Sequence, residues 1–235
     1  GTDTFELVLN NFLQIKPNLR AESIASMTIT PESSVYRAVR NVVDIFDHVF
    51  WNIVNDPFGP SFNGFISNYD NDVRRLYNYW LNEMGNGRVL NIVPFQFTSM
   101  LYLTGTKLQN LPCGCGTTLR AVDQNGFYLC DELMGHPEFK VALGEKLDPD
   151  KWSAKKLSRI CNNCTYLEVC GGGCLNILLL YPPKRREEYC ELKKKFFNIV
   201  KNGVPTIKEY LEKGKISYEV LFTQIASAPY FEGSP

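Results

Sequence analysis

The chain has 235 residues, of which 44% are hydrophobic and 13% aromatic, enough for one large domain or two small ones with a sizeable core. Its 25 basic and 25 acidic residues balance, which argues against nucleic-acid and membrane-surface partners, because proteins that bind them carry a basic excess. No apolar run approaches the about 18–20 residues of a membrane-spanning helix, and no signal-peptide pattern opens the chain, so we expect a cytoplasmic protein.

Residues 1–105 alternate between helical and strand patterns. The predicted elements are a helix that begins at Asp3, a strand at 21–30, a helix that begins at Pro31, a buried strand at 48–54, a helix from Asp70 to Met84 and a strand at 88–95. Helices that alternate with strands predict an α/β fold with a parallel sheet. About three strands are few for an independent parallel sheet, so we expect the back half of a larger α/β domain.

Residues 106–235 form a second predicted domain. TLRAV (118–122) and FYL (127–129) flank a turn with Gly126, which predicts a β-hairpin. Further helices are predicted at 152–160, at 186–202 and from Pro205 to Lys213. All eight cysteines of the chain lie between Cys113 and Cys190, and this shift in composition indicates the division into two parts.

The cysteines are spaced as CGC at 113–115, Cys130, CNNCTYLEVCGGGC at 161–174, and Cys190. Clustered cysteines in a reducing compartment bind metal or carry out redox chemistry more often than they form disulfides. A CxxC turn aims two thiolates at one point, and eight thiolates make two sites of four. The three glycines let the backbone approach an inorganic core and direct amides at its sulfides, which favours iron–sulfur over zinc. Structural zinc and disulfides are the alternatives.

The same pattern resembles the SPASM module of radical SAM enzymes that modify peptides and proteins. The similar residues are CGCGTTLRAVDQNGFYLCDEL, CNNCTYLEVCGGGC and EEYCELKK. Upstream, GTDTFELVLNNF and MTITPES resemble the later part of that family's partial barrel. The resemblance implies the C-terminal strands and helices of a partial TIM-like barrel (1–105), followed by a small α+β iron–sulfur SPASM domain (106–235).

By that resemblance, the chain binds two auxiliary 4Fe–4S clusters. The first set of ligands comprises Cys113, Cys115, Cys130 and Cys174, and the second comprises Cys161, Cys164, Cys170 and Cys190. Whether both Cys113 and Cys115 bind is left open. If only one does, the first cluster keeps an open iron that a substrate could bind.

One motif of the family is absent. The family holds its SAM-binding cluster in a CxxxCxxC loop, and residues 1–112 contain no cysteine. We therefore expect the C-terminal two-thirds of a longer enzyme, in which S-adenosylmethionine and a third 4Fe–4S cluster bind, and no cleavage of S-adenosylmethionine by this chain alone. The resemblance implies a peptide or protein substrate and an external electron donor. The alternative functions are a ferredoxin-like electron carrier and a structural zinc-binding interaction module.

A catalytic carboxylate is also implied. Asp131 directly follows Cys130, where the resemblance implies a general base that accepts a proton during substrate oxidation. A turn or capping role is the alternative.

Polar side chains near the ends of the predicted parallel strands are candidates for ligand binding. Ser26, Thr28 and Thr30 lie near the end of one strand, where α/β folds place ligand groups. The resemblance implies that they form a wall facing S-adenosylmethionine. Asn52 and Asn55 stand around the end of the next strand, and ordinary strand residues are the alternative in both cases.

Overall fold

A computed structural model describes residues 2–222 of the chain. In chain order the helices are α1 (Thr2–Ile15), α2 (Val35–Val42), α3 (Asn63–Gly85), α4 (Val93–Thr104), α5 (Ala154–Leu157), α6 (Arg159–Asn162), α7 (Leu167–Cys170), α8 (Leu175–Leu180), α9 (Pro183–Glu212) and α10 (Tyr218–Phe222). The strands are β1 (Ile24–Ile29), β2 (His48–Ile53), β3 (Ala121–Asp123), β4 (Gly126–Tyr128) and β5 (Lys140–Val141). Within 2–222, no helix has the length and apolar character needed to cross a membrane.

The predicted parallel pairing of the first two strands is confirmed. β1 and β2 pair in parallel, with Thr28 opposite Asn52. β2 is buried along almost its whole length, as expected of a strand covered on both faces. In the part of the chain that the structure describes, the parallel sheet holds these two strands and one further bridge, between Val49 and Ile92. The fold is mixed α/β, and residues 2–222 do not close a barrel.

The strand predicted at 88–95 is wrong. Its only sheet contact among the described residues is the bridge at Ile92, after which α4 begins with Pro94 in its first turn. Proline favours that position because its fixed φ suits a helix and its missing N–H has no intrahelical partner there. The apolar run therefore divides between one bridge residue and a helix.

Several predicted helix boundaries also move. α2 begins at Val35 rather than at Pro31, because the Ser34 hydroxyl accepts a hydrogen bond from the Arg37 amide and caps the helix. α3 begins at Asn63 rather than at Asp70. The helix predicted at 152–160 is two short helices, since Ser158 between α5 and α6 has extended backbone angles.

The two helices predicted on either side of Pro205 are one continuous helix, α9. α9 packs against α3, where Gly203 lies against the ring of Tyr77 and the Tyr77 hydroxyl donates to the Val200 carbonyl at 3.2 Å. Proline inside a helix removes one backbone hydrogen bond. We attribute the continuity of α9 to this packing.

Residues 2–222 form two apolar cores. The first buries one face of α3 and α9 against β1, β2 and α2. The second gathers residues from 111–178, including Cys115, Cys130 and Cys161. The predicted hairpin is confirmed as β3 and β4, with β5 added as a third antiparallel strand. The division at residue 105 stays a prediction.

Candidate metal centre and adjoining polar cavity

The hairpin brings three of the predicted ligands together. The Cys115 thiol hydrogen-bonds to the sulfurs of Cys113 and Cys130, and these bonds, together with burial, raise the pKa of Cys115 above its ordinary value. The same bond from Cys115 lowers the pKa of Cys130. Cys115 and Cys130 are buried, at 5% and 2% exposure. The hairpin therefore forms a compact thiol group in the second core.

A tight turn places Cys113 and Cys115. Gly114 and Gly116, with φ of 77° and 75°, adopt the left-handed conformation on either side of Cys115, which glycine does at little cost. The Gly114 carbonyl accepts hydrogen bonds from the amides of Thr117, Thr118 and Leu119. This turn points residues 113 and 115 towards Cys130.

The remaining cysteines surround a cavity of about 40 Å³, which we call the cysteine cavity. Its walls include Cys161, Cys164, Cys170, Cys174 and Cys190. Burial, and next the neighbouring thiol of Cys190, raise the pKa of Cys161 to about 11. Burial likewise raises the pKa of Cys190. The structure thus gathers the whole second predicted ligand set around one space.

Cys174 lies between the two groups. It lines the cysteine cavity, and it also lines a second cavity together with Glu132, two residues after Cys130. The sequence prediction placed Cys174 with Cys113, Cys115 and Cys130. The position in the wall between the two spaces is compatible with either set, so the assignment of Cys174 stays a prediction.

Local packing and backbone conformation explain the glycine triplet at 171–173. Gly171, Gly172 and Gly173 all have positive φ, at 63°, 105° and 78°. A Cβ on Gly171 would lie 2.5 Å from the Asn110 carbonyl oxygen, and one on Gly172 would lie 2.2 Å from the Ala154 Cβ. Close protein packing therefore requires the first two glycines, whatever the cysteine cavity binds.

Among the described residues that line the cysteine cavity, three are basic and none is a carboxylate. Arg186, Lys193 and Lys194, all on α9, contribute to its walls. The buried Nε of Arg186 has no hydrogen-bond partner within 2–222, while its Nη1 donates to the Leu178 carbonyl at 3.0 Å. An unpartnered buried donor is rare in proteins and costs stability. The wall of the cavity is thus suited to an anionic occupant.

In residues 2–222, no group of three or more His, Cys, Asp or Glu side chains is arranged to hold a single metal ion. Four thiolates on one zinc ion lie about 3.8 Å from one another, from Zn–S bonds of about 2.3 Å in a tetrahedron. In a 4Fe–4S cluster each thiolate binds a different iron, so the four sulfurs stand farther apart. The bonded thiols at the hairpin and the thiols that line the cysteine cavity are candidate ligands, and the identity of the metal stays a prediction.

The second cavity, of about 170 Å³, lies at the carboxyl ends of β1 and β2, and we call it the polar cavity. Its lining residues are Thr28, Asn52, Ile53, Asn55, Glu132, Cys174, Ile177, Tyr189 and Lys193. Parallel sheets place ligand groups at the carboxyl ends of their strands. The cavity therefore joins the first half of the chain to the cysteine-bearing half.

Three hydrogen bonds hold one corner of the polar cavity. Asn55 Nδ2 donates to Glu132 Oε2 at 2.6 Å, and Asn176 Nδ2 donates to the same oxygen at 3.5 Å. The Tyr181 hydroxyl donates to Asn55 Oδ1. These bonds connect the end of β2 to the segments that come after Cys130 and Cys174.

The other predicted site residues lie in different places. Thr28 lines the polar cavity. Ser26 is exposed farther back on β1, and Thr30 hydrogen-bonds to Ser33 through their hydroxyls at 2.9 Å. Their predicted role as a wall facing S-adenosylmethionine stays a prediction.

Glu132, not Asp131, is the carboxylate among the residues that line the polar cavity. Asp131 is exposed at the start of the 3-10 turn Asp131–Leu133. Glu132 is not among the site residues predicted from the sequence. Because successive residues of such a turn point in different directions, the sequence alone does not say which of two adjacent carboxylates faces the cavity. The predicted role of Asp131 as a general base stays a prediction.

Comparison with known sequences gives limited information. No protein-family model matches the chain. An uncharacterized protein of Archaeoglobus fulgidus is 27% identical over 124 residues, which covers 46% of this chain and 30% of that protein. The chain thus spans less than a third of the length of this relative.

Comparison with solved structures is more informative. Native anSMEcpe with bound AdoMet superposes with a TM-score of 0.61 at 18% identity, over 87% of this chain and 61% of that one. Native anSMEcpe with bound AdoMet and the Kp18Cys peptide gives a TM-score of 0.59 at 18% identity, over 86% and 62% of the two chains. These structures are of an anaerobic sulfatase-maturating enzyme, a radical SAM maturase of the SPASM type. The chain spans less than two thirds of that enzyme, and the likeness shows that it has a radical SAM-like fold.

Proposed function

We propose that this chain is the auxiliary-cluster portion of a radical SAM oxidoreductase that modifies a peptide or protein. The observation that carries the proposal is the pair of thiol groups, one at the hairpin and one around the cysteine cavity, on a radical SAM-like fold. The sequence contains no CxxxCxxC motif. Cleavage of S-adenosylmethionine is therefore a property that we assign to the whole enzyme and not to these residues.

The residues around the cysteine cavity fit an iron–sulfur cluster. Four thiols of the second set line it, no carboxylate does, and Arg186 presents a buried Nε without a partner in the described part of the chain. A cubane with four thiolates carries net negative charge, and its sulfides accept hydrogen bonds. An arginine and two lysines on one wall would offset that charge. Zinc offers no sulfide to accept the Arg186 bond.

We assign Cys161, Cys164, Cys170 and Cys190 to one 4Fe–4S cluster, and Cys113, Cys115, Cys130 and Cys174 to the other. When bound, such clusters supply one-electron transfer. The chain's own residues hold the thiols in place and shield the cysteine cavity from water. Tyr166 and Phe197, whose rings stack at 6.0 Å, both line it.

The proposal also implies two partners. A peptide or protein is the substrate, in keeping with the peptide bound to anSMEcpe in one of the similar structures. An external electron donor would exchange electrons with the clusters. The net charge of zero gives no support to a nucleic-acid substrate.

The test is the metal content of the full chain after anaerobic reconstitution with iron and sulfide. We expect about eight irons and eight sulfides per chain, as for two 4Fe–4S clusters. Cys161→Ala should lower both numbers by about half, and so should Cys130→Ala, because each removes a ligand of a different cluster. Stoichiometric zinc without sulfide would overturn the proposal and favour the zinc-binding module.

Cys174→Ala separates the two possible ligand assignments. If Cys174 belongs with Cys130, the double variant Cys130→Ala/Cys174→Ala should lose no more iron than Cys130→Ala alone. If Cys174 belongs with Cys161, the same double variant should lose nearly all the iron. Substitution of the exposed Lys184 by Ala, which lies outside both thiol groups, is the matched control and should leave the iron content unchanged.

A second measurement distinguishes the proposed function from that of a ferredoxin-like electron carrier. The reconstituted chain, combined with a protein that supplies the missing CxxxCxxC cluster, should support cleavage of S-adenosylmethionine if it is part of such an enzyme. A reversible one-electron potential without any such cleavage would favour the carrier instead.

A further inference from the structure

Charge is distributed unevenly along this chain, although its net charge is zero. Residues 151–160 include four basic residues and no acidic one, and residues 193–201 likewise include four basic residues and no acidic one. Both segments contribute to the walls of the cysteine cavity, the first through Ile160 and the second through Lys194. Positive charge is therefore concentrated around that cavity without a basic excess in the chain as a whole.

One side of α9 extends this charge from the cysteine cavity to the protein surface. Four residues at spacings of four, three and four share one face of the helix: Cys190, Lys194, Phe197 and Lys201. The first three line the cysteine cavity, while Lys194 and Lys201 are exposed. The face thus leads from a predicted cluster ligand to a lysine one helical turn beyond the cavity.

A further cavity, of about 230 Å³, lies beside Lys201, and we call it the outer cavity. Lys107, Tyr166 and Lys201 contribute to its walls. Tyr166 also lines the cysteine cavity, so the two cavities share a wall residue. Electron transfer between proteins falls off steeply with distance, and a protein docked at the outer cavity has little protein between itself and the cysteine cavity.

Most of the charge around the outer cavity is not neutralised by the protein itself. Lys107 pairs with Glu168 at 2.7 Å, in an ion pair whose two side chains are both exposed. Within residues 2–222, Arg159, Lys194 and Lys201 form no ion pair, and all three are exposed. Exposed cations without an internal partner are available to carboxylates of another molecule.

We propose that an acidic one-electron carrier protein docks on this surface, which we call the basic face and define by Arg159, Lys194, Lys201 and the outer cavity. The inference rests on the proposed function for the cluster in the cysteine cavity, and it adds the place where the electron donor binds and the sign of its charge. The carrier loses one electron and the chain gains one, and no bond forms or breaks. Carboxylates of the carrier pair with the three cations of the basic face.

The sign of the carrier's charge follows from the distribution of charge. A chain of zero net charge attracts an acidic protein only through a local field, so the basic face determines where and in which orientation that protein arrives. The hairpin thiols have different surroundings, because Asp131 and Glu132 directly follow Cys130 and are both exposed. Carboxylates there repel an acidic carrier, which favours docking at the cysteine cavity rather than at the hairpin.

The experiment uses the full chain after anaerobic reconstitution and a dye-labelled acidic flavodoxin as the carrier. Fluorescence anisotropy measures the dissociation constant at two salt concentrations. We expect it to rise about tenfold between about 0.02 M and about 0.2 M salt, because the Debye length shrinks from about 20 Å to about 7 Å. Hydrogen exchange at residues 101–107 and 159–166 should slow when flavodoxin binds, which locates the surface.

Lys201→Glu is the decisive variant, because Lys201 lies outside the cysteine cavity. We expect it to raise the dissociation constant about fivefold at low salt and to weaken the salt dependence. Arg37→Glu is the matched control, since it changes the net charge equally but lies exposed on α2, which packs against α3 and β1. It should change the dissociation constant less than about twofold.

A kinetic measurement separates docking from a change in the cluster. Reduced flavodoxin is mixed with the oxidised chain, and the loss of one electron from the flavin is followed by its absorbance. In Lys201→Glu the rate should fall at low flavodoxin concentration and should recover when flavodoxin is saturating. A substitution that altered the reduction potential of the cluster would instead change the rate at saturation.

Several results would overturn the inference. These are no binding, binding that does not depend on salt, equal effects of Lys201→Glu and Arg37→Glu, protection of residues 120–132 instead of 159–166, or binding without loss of an electron from reduced flavodoxin. Iron and sulfide are measured on the same samples. Full cluster content with no binding contradicts this inference alone, whereas a chain that takes up no iron and sulfide contradicts the proposed function.

Discussion

The ion pair between Arg185 and Glu188 anchors the loop after β2 to α9. The charged groups are 2.9 Å apart, and their side chains are only 6% and 9% exposed. Arg185 also donates to the carbonyls of Asp56 and Pro60 and lies over the ring of Phe62, 3.6 Å from its centre. Removal of Arg185 would leave a buried carboxylate and two loop carbonyls without their cation.

The expected effect of Arg185→Met is large. Burial raises the pKa of Glu188, but hydrogen bonds from Ser61 and Arg185 outweigh it and hold the pKa below its ordinary value, so the group is charged at neutral pH. Loss of one partner of a buried ion pair costs about 3–5 kcal/mol. At about 2–4 °C per kcal/mol for a chain of this size, the thermal midpoint should fall by on the order of 10 °C.

The assay is thermal unfolding, monitored by near-ultraviolet circular dichroism of the buried Trp51 and Trp80, with variants compared at equal iron content. Arg185→Met/Glu188→Leu should recover part of the loss, because an apolar pair of similar size leaves no buried charge. Lys107→Met, which breaks an exposed ion pair with Glu168, is the control and should not move the midpoint measurably. A fall in Arg185→Met no larger than in this control would refute the reasoning.

Two further changes test other parts of the structure. Gly172→Ala should lower both the thermal midpoint and the iron content, since the φ of Gly172 is 105° and an added Cβ would lie 2.2 Å from the Ala154 Cβ. Gly144→Ala is the control, because Gly144 has a φ of 77° and no atom within 4 Å of an added Cβ, so it should cost only about 1 kcal/mol from its backbone conformation. Equal losses in the two variants would contradict the packing argument. Asp47→Asn tests a pH effect: hydrogen bonds from the Ser23 hydroxyl and amide lower the pKa of Asp47, so its stabilisation is present above the unfolded pKa and is lost as pH falls through the lower folded pKa. The wild type should be more stable than Asp47→Asn at pH 6, and urea unfolding should show this difference shrinking as the pH falls from about 4 towards 2; a difference independent of pH would contradict the assignment.

A strand could be predicted from the sequence where no helix fitted the same residues. HVFWNIV is a largely apolar run bounded by Asp47 and Asn55, and it forms β2 at His48–Ile53. RVLNIVPF has a similar composition, but α4 begins at Val93 with Pro94 in its first turn, and only the last three residues of the run belong to that helix. A short apolar run is compatible with either element, and the residues after the proline decide between them. The sequence supplied no cap that marked the start of α4.

Tertiary packing overrode a local rule at Pro205. A proline ordinarily starts a helix or breaks one, and the sequence therefore predicted two helices. In the structure, Gly203 fits against Tyr77, and the Tyr77 hydroxyl donates to the Val200 carbonyl on the turn before the proline. Both contacts come from α3, more than a hundred residues earlier in the chain, so no pattern around Pro205 could have revealed them.

The glycine triplet does not indicate which metal the cysteines bind. In the sequence, the three glycines favoured iron–sulfur over zinc, because they would let the backbone approach a bulky core. The structure requires Gly171 and Gly172 for contacts with Asn110 and Ala154, which would be needed beside either metal. In our proposal, the two metals are distinguished instead by the buried Nε of Arg186 in the wall of the cysteine cavity, which has no partner among the described residues. Arg186→Gln should therefore change the reduction potential of a bound cluster more than it changes iron content, and the reverse result would make Arg186 a structural residue.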